Sequence, residues 1–322
     1  MPAQEKNIQI YNEQRDLQAV YDLWQTVLGA TWPIEYTRFR QVLAGSAGSP
    51  CPQVQHFVAR ESGQVTGFAA TFTSKRGKGL VGHLAALLVD PQQQHKGIGS
   101  ALHTVALDHL RSSGTSQLHL GGISPRFWCG LPMNLAAALP FFTKRGWEFS
   151  EHVFDLVQDL RHYITPEKTW QRMEREHITF ETASKKEIGD ILAFEAREFP
   201  NWVRHFERCA ALDDYDDILV ARDHLRRVVG TLIMYSPRSH PERTDVIWQS
   251  LLGQNAGAMG VVGVAATERG RGIGIALVAR ASEILKERGV GNCYIDWVEL
   301  TDFYARLGYG IWREYALSWR RP

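Results

Sequence analysis

The chain repeats itself, and this constrains its fold more than any other feature. A segment QHKGIGSAL runs from Gln94 to Leu102, and RGRGIGIAL runs from Arg269 to Leu277, 175 residues later. Upstream, FVARESGQVTGF from Phe57 matches LVARDHLRRVVGT from Leu219, with Arg60 and Arg222 offset by 162. Downstream, FFTKRGW from Phe141 matches FYARLGY from Phe303, again offset by 162. Three matches in one order mark a duplicated domain. The changing offset locates the insertions. PRSHPERTDVIWQSLLGQNAG lengthens the second copy before its glycine motif, and SPRFWCGLPMNLA lengthens the first copy after it. A chain of 322 residues accommodates two such domains.

Each copy has the same expected order of elements. An amphipathic helix comes first: Leu17, Val20, Tyr21, Trp24, Val27 and Leu28 recur at helical spacing, with Gly29 as a stop. In the second copy, Ser184–Glu187 reads as a capping box before Ile188, Ile191 and Leu192. Hairpins are expected at 55–60 with 64–73 and at 217–222 with 226–235. Third strands follow near 80–89 and 258–266. The glycine motif then opens helices at Gly97–Ser112 and Gly272–Arg288, followed by strands near 116–121 and 292–297. A helix carrying the FF or FY pair ends at Gly146 or Gly308, and a last strand closes each copy. Between the copies, ITPEKTWQRMEREH predicts a connecting helix over 165–177, with Thr165 as N-cap and Pro166 at the first helical position. The domains are therefore expected at 1–165 and 170–322, with the boundary near 170.

Composition narrows the function. Lys and Arg total 36 against 35 Asp and Glu, a formal net charge of +1. This argues against a dedicated nucleic-acid or anionic-membrane surface. No stretch approaches 18 uncharged apolar residues, and MPAQEKNIQIYNEQRD lacks the apolar core of a signal peptide. Cys51, Cys129, Cys209 and Cys293 are widely spaced without CxxC, so neither a disulfide framework nor a zinc site is expected, and a reducing cytoplasm fits. The histidines show no HExxH, and no metal is expected.

In both copies a strand runs into a glycine turn that opens a helix. Glycines allow a tight turn and close approach of backbone to ligand. Free N–H groups at the helix start, together with the helix dipole, suit phosphate. Arg269, Arg271 and Lys96 add positive charge. The motif is neither GxGxxG nor GxxxxGK[ST]. An ordinary strand-to-helix turn is the competing interpretation for a single copy.

The order helix, hairpin, strand, [QR]-x-x-G-x-G, helix, strand, FY-x-x-x-G-[YF], strand resembles the GNAT superfamily of acetyl-CoA-dependent N-acetyltransferases. The resemblance covers nearly the whole chain, once per half. It implies an α+β fold: two tandem GNAT domains, each a mixed, mainly antiparallel twisted sheet flanked by helices. It also implies acetyl-CoA as cosubstrate, with the pyrophosphate held by Arg269, Gly270, Arg271, Gly272, Ile273 and Gly274. The matching first-copy positions are Gln94, Lys96, Gly97 and Gly99. The pantetheine arm is expected between splayed strands near 260–265, including Val262, Gly263 and Val264, and 292–297. GGISPRFWCGLP, EFPNWVRHF, GAMGVVGVA and YIDWVELTDFYARLGY make the pairing most similar to glucosamine/glucosaminide N-acetyltransferases. Mycothiol synthase is another tandem acetyltransferase of similar length.

Acetyl transfer to an amine needs a neutral nucleophile, a base and an acid for the departing thiolate. In GNAT enzymes the acid is often a tyrosine of the FY pair. Tyr304 holds that place in the second copy and Phe142 in the first. Asp296, in YIDW, is the candidate base or ammonium ligand; its first-copy counterpart is Gly121. The second copy is therefore expected to be catalytic and the first non-catalytic. Asp302 is expected to cap the helix bearing Tyr304. Sugar rings stack on aromatics, which makes Trp128, Trp202, Trp248 and Trp297 candidate substrate contacts, with Glu299 beside them. The run Asp213-Asp214-Tyr215-Asp216-Asp217 is expected to be a solvated turn. The favoured function is acetylation of an amino sugar's primary amine by direct attack in a ternary complex. The alternatives are another small amine, of mycothiol-precursor or aminoglycoside type, or a coenzyme-binding sensor without turnover.

Overall fold

A computed structural model describes residues 7–45, 54–77 and 79–322; Cys51 lies outside them. The chain divides into two compact units, Met1–Val153 with Arg313–Pro322, and Phe154–Trp312.

The first unit begins with β1 (Asn7–Ile10), α1 (Glu13–Leu28) and α2 (Tyr36–Ala44). The Asn12 side chain accepts the Arg15 N–H at the start of α1, and Gly29 ends the helix as expected. Next come β2 (Phe57–Glu61), β3 (Gln64–Arg76), β4 (Gly79–Val89), α3 (Ile98–Ser112), β5 (Gln117–Leu120), β6 (Leu131–Pro132) and α4 (Ala138–Thr143). β7 spans Glu151–Asp159.

The second unit continues with α5 (Glu167–Arg175), β8 (Thr179–Thr182), α6 (Ile188–Glu198), α7 (Val203–Ala211), β9 (Ile218–Arg222) and β10 (Val228–Tyr235). Then follow α8 (Gln249–Leu252), β11 (Gly257–Val264), α9 (Ile273–Glu287), β12 (Asn292–Val298) and α10 (Thr301–Ala305). β13 (Gly310–Leu317) and β14 (Trp319–Arg320) close the chain. The connecting helix exists, but Pro166 is its cap, and the Thr165 hydroxyl donates to the Tyr163 hydroxyl instead. Of the capping box before α6, Glu187 accepts the Ser184 N–H, while the Ser184 hydroxyl also donates to that carboxylate. The nine-residue helices α2 and α7 were not marked by the sequence pattern.

The sheets are built alike. The first unit's sheet runs β1-β2-β3-β4-β5-β14, and the second unit's strands run β8-β9-β10-β11-β12-β7. In each, only the fourth and fifth strands are parallel to one another. The sixth position corrects the expected domains. β7, expected to close the first copy, pairs with β12 through Asn292↔Asp159 and Tyr294↔Val157. β14, from the end of the second copy, pairs with β5 through Trp319↔His119. An open sheet edge must be paired or covered. In a duplicated chain, the closing strand of either copy has the sequence to do this, as in domain swapping. A contiguous cut near 170 therefore does not follow the units.

Both faces of the second unit's sheet are covered, so its central strands read as continuous apolar runs. Leu219, Ala221, Leu232 and Met234 face the core beneath α9, while Ile218, Val220 and Ile233 face that beneath α6 and α7.

Candidate active site

Both glycine turns bend as their sequence requires. Gly97 (φ +86°) and Gly272 (φ +88°) precede α3 and α9 in the left-handed region that favours glycine. Gln94 and Arg269 do the same job in their copies, each donating a long 3.4 Å bond to the last carbonyl of the preceding strand, Val89 or Val264.

In the second unit β11 and β12 pair only through Gly257↔Cys293 and Ala258↔Tyr294. Beyond these residues the strands carry no further pairs, which leaves Val262, Gly263 and Val264 along an open seam. β11 has a bulge there: Thr231↔Gly263 is followed by Ile233↔Gly260, and Val261 has φ +47°. The Phe199 ring fills the space beside Gly263; a Cβ would meet it at 2.5 Å. Glu198 accepts the Ala266 N–H at 3.1 Å.

A cavity of about 710 Å³ opens at the start of α9. Gly270, Gly272, Ile273 and Gly274 form one wall, and Lys168, Thr169, Arg172 and Arg175 of α5 form another. Arg269 and Arg306 bring its lining cations to five, against the carboxylate of Glu268. Of the cations the sequence singled out, Arg269 lines the cavity, while Arg271 is taken up by Glu176 and Glu268. Arg271 in turn holds the Glu176 carboxyl below its ordinary range. Arg172 donates to the Gly270 carbonyl at 2.6 Å and lies against Gly272. The basic face of α5 was missed because its sequence read simply as a connector; the spacing Lys168, Arg172, Arg175 was the available signal. The cavity fits a polyanionic coenzyme: a glycine turn at a helix start with the Arg172 guanidinium laid against it, cationic walls and an apolar floor of Val264, Phe303 and Leu307.

Tyr304, on α10, packs against Phe303 and Tyr309. Burial, and then the negative charge of Asp296, push its phenol up to about 12. The phenol therefore stays protonated near neutrality, and Asp296 lies close enough to act on it. Asp296 and Trp297 form a bulge in β12, both half-buried, and Glu299 is exposed just beyond. Asp302 lies in the first turn of α10 rather than at its cap, Leu300.

The other tryptophans separate. Trp248 is 1% exposed and Trp128 6%, so neither offers a face to a sugar, and both assignments are corrected to core packing. Trp128 stacks on Trp24. Trp202 caps α7 and stacks on Phe199 at 4.7 Å. The acidic run is not all solvated: Asp217 is buried and binds Arg243, Arg288 and Ser239, and Asp214 accepts the His240 N–H.

In the first unit Lys96 bonds to Gln93, and no described atom comes within 4 Å of a Cβ placed on Gly97. A Cβ on Gly99 would touch the Phe141 ring at 3.2 Å. Phe142 is buried beside Trp147. Gly121 has φ +134°, and a Cβ there would stand 2.6 Å from the Cys129 carbonyl oxygen. The first copy's insertion fills the place that Asp296 occupies in the second copy.

Two similar mixed sheets, each with a glycine turn at a helix start, make a tandem of one domain type, the architecture of a tandem acyltransferase. The profile of the acetyltransferase (GNAT) family matches residues 17–147 and again 170–309, and the chain belongs to that family, whose members generally use acetyl-CoA. Among solved structures, the GCN5-related glucosamine N-acetyltransferase region of a fungal multi-domain GH3 beta-N-acetylglucosaminidase is similar at 39% identity and TM-score 0.93. The match covers 99% of this chain and 38% of that one, so this chain spans well under half the length of that relative. A GCN5-related N-acetyltransferase from Sphaerobacter thermophilus (16% identity, TM-score 0.69, 98% and 96% covered) shares the fold. So does a tandem GNAT protein from the clavulanic acid biosynthesis pathway (15%, 0.67, 98% and 98%). No curated protein matches the chain. Among the described residues, no helix is long and apolar enough to cross a membrane.

Proposed function

We propose that this acetyltransferase moves the acetyl group of acetyl-CoA to the primary amine of an amino sugar, with the chemistry in the second unit and the first unit non-catalytic. The observation that carries this reading is Tyr304, kept protonated beside Asp296, close to a cationic cavity at the start of α9. Acetyl-CoA supplies an activated thioester. The first amides of α9, with Arg269 and the α5 cations, hold its pyrophosphate. The amine attacks the carbonyl carbon; a C–N bond forms and the C–S bond breaks. Asp296 takes the amine proton, directly or through a water, and Tyr304 donates its proton to the thiolate. Burial pushes the Cys209 and Cys293 thiols up to about 12, which disfavours a thiolate nucleophile and supports direct attack. A sugar amine is less basic than a lysine amine, which suits a weak base such as a carboxylate. The glucosamine-acetylating region at 39% identity supports the acceptor class.

The test is thiol release from acetyl-CoA with glucosamine, chitosan oligomers, aminoglycosides, the mycothiol precursor and histone peptides. Amino sugars are expected to lead the panel. Preference for a peptide lysine refutes the acceptor class, and no thiol release with any amine favours a sensor. Tyr304→Phe is expected to lower kcat by about 10²–10⁴, with acetyl-CoA affinity unchanged within about twofold because the hydroxyl acts as the thiolate leaves.

A further inference from the structure

β12 carries its bulge opposite one residue. Its pairing with β7 passes from Ile295↔Leu156 to Val298↔Phe154, so Asp296 and Trp297 together face Asp155. Ile295 and Val298, three residues apart, both enter the core beneath α9, whereas a regular strand alternates every second residue. Trp297 has φ +52°, a left-handed conformation that disfavours a side-chain-bearing residue and needs surrounding structure to hold it. Asp155 provides a hold. It is 2% exposed; one oxygen accepts the Trp297 N–H at 3.2 Å, and the other accepts the Tyr294 hydroxyl at 2.6 Å. A bulge takes an N–H out of the strand ladder, and a buried N–H needs another acceptor.

We propose that Asp155 is the positioning residue of this site: by anchoring the β12 bulge, it presents Asp296 to Tyr304. The inference rests on the assignment of Asp296 and Tyr304 as the reacting pair. Asp155 belongs in sequence to the first copy and reaches the second unit because β7 closes that unit's sheet. The first unit supplies the contrast. Its closing pairs, Trp319↔His119 and Arg320↔Leu118, reproduce Val157↔Tyr294 and Gln158↔Cys293, with an offset of 162 on the closing strands and 175 on their partners. The closing-strand offset of 162 places Leu317 at the position of Asp155. The copy that lacks Asp296 therefore also lacks the carboxylate that would aim it.

The experiment is a double-mutant cycle in the full chain. Asp155→Asn, which leaves one of the two bonds without its acceptor, is expected to lower kcat about 10–100-fold, the scale of a misplaced reacting group. The KM for acetyl-CoA is expected to stay within about twofold. In the Asp296→Asn background, Asp155→Asn is expected to cause no further loss of kcat, because the group it aims is gone. A structural role alone predicts equal losses in both backgrounds, and that result overturns the inference, as does an unchanged kcat in Asp155→Asn. If Asp155→Asn is insoluble, Asp155→Glu, which keeps the charge but moves both acceptor oxygens by one methylene, carries the same test. If Asp296→Asn and Tyr304→Phe both keep full kcat, the reacting pair itself is wrong. If those two lose activity while the cycle is additive, only the role of Asp155 falls.

Discussion

Replacing Glu195 by glutamine should remove a pH dependence of stability that follows from one dry carboxyl group. Glu195 lies on the inner face of α6, 0% exposed, and accepts the Thr231 hydroxyl at 2.5 Å. Its other oxygen has no hydrogen-bond partner among the described residues. Burial is the dominant influence and raises its pKa from 4.5 to about 7, against a smaller opposing effect from Thr231. A folded-state pKa above the unfolded value means that the folded protein binds the proton more tightly. The stability from this group is fully present below about pH 4.5 and is lost as pH rises through about 7. The full shift of about 2.5 units corresponds to about 3 kcal/mol, of which about 2.5 kcal/mol falls between pH 5 and 8. The assay is urea unfolding of wild type and Glu195→Gln at pH 5, 6, 7 and 8. Subtracting the two stability curves removes every titrating group they share. Wild type should lose about 2.5 kcal/mol relative to the variant across that range. Parallel curves would show that Glu195 ionises at its ordinary pKa and that water reaches the face of α6.

Gly272→Ala places a Cβ at φ +88° and 3.0 Å from Arg172, so it should cost about 1–2 kcal/mol of stability and weaken acetyl-CoA binding at least tenfold by calorimetry. Unchanged affinity in the folded variant would move the coenzyme away from this turn. Phe142→Leu should cost about 1–2 kcal/mol from repacking beside Trp147 and leave kcat within about twofold, as read by thermal unfolding and thiol release. A large loss of kcat there would return the chemistry to the first unit.

The repeat and the glycine turns were legible because each is local: a few residues at fixed spacing define it. Tyr304 and Asp296 became candidates only through the family resemblance, and the structure sets them near one another. The exchanged closing strands were not, because β7 and β14 carry equivalent sequence and the choice of sheet edge is made over a long range. Asp155 was hidden for the same reason; nothing within ten residues of it in sequence indicates that it faces Trp297. The acidic run failed differently. Its charges were visible, but the partner of Asp217 and Asp214, Arg243, lies in the second copy's insertion, and sequence does not show which loop folds onto which turn. The tryptophans were visible as residue types, but residue type does not assign a face. Trp248 and Trp128 satisfy the core, and Trp297 remains at the bulge.

The asymmetry between the copies follows from sterics as much as from chemistry. A first-copy carboxylate at position 121 would need a Cβ at φ +134°, 2.6 Å from the Cys129 carbonyl, and at that distance backbone must move. The obstruction comes from SPRFWCGLPMNLA, the insertion that also supplies β6, which pairs with β13 through Leu131↔Ala316 and Pro132↔Tyr315. The same segment supplies Phe127 and Trp128, which pack on Trp24. Removing the obstruction would therefore take apart a strand pair and an aromatic core cluster. A carboxylate restored at position 121 would still face Leu317 in place of Asp155, with no acceptor to hold a bulge. Three separate changes, at position 121, at Phe142 and at Leu317, would be needed to rebuild the second unit's arrangement, and the first of them conflicts with the fold. The insertion thus builds part of the first unit's aromatic core across the position that corresponds to Asp296.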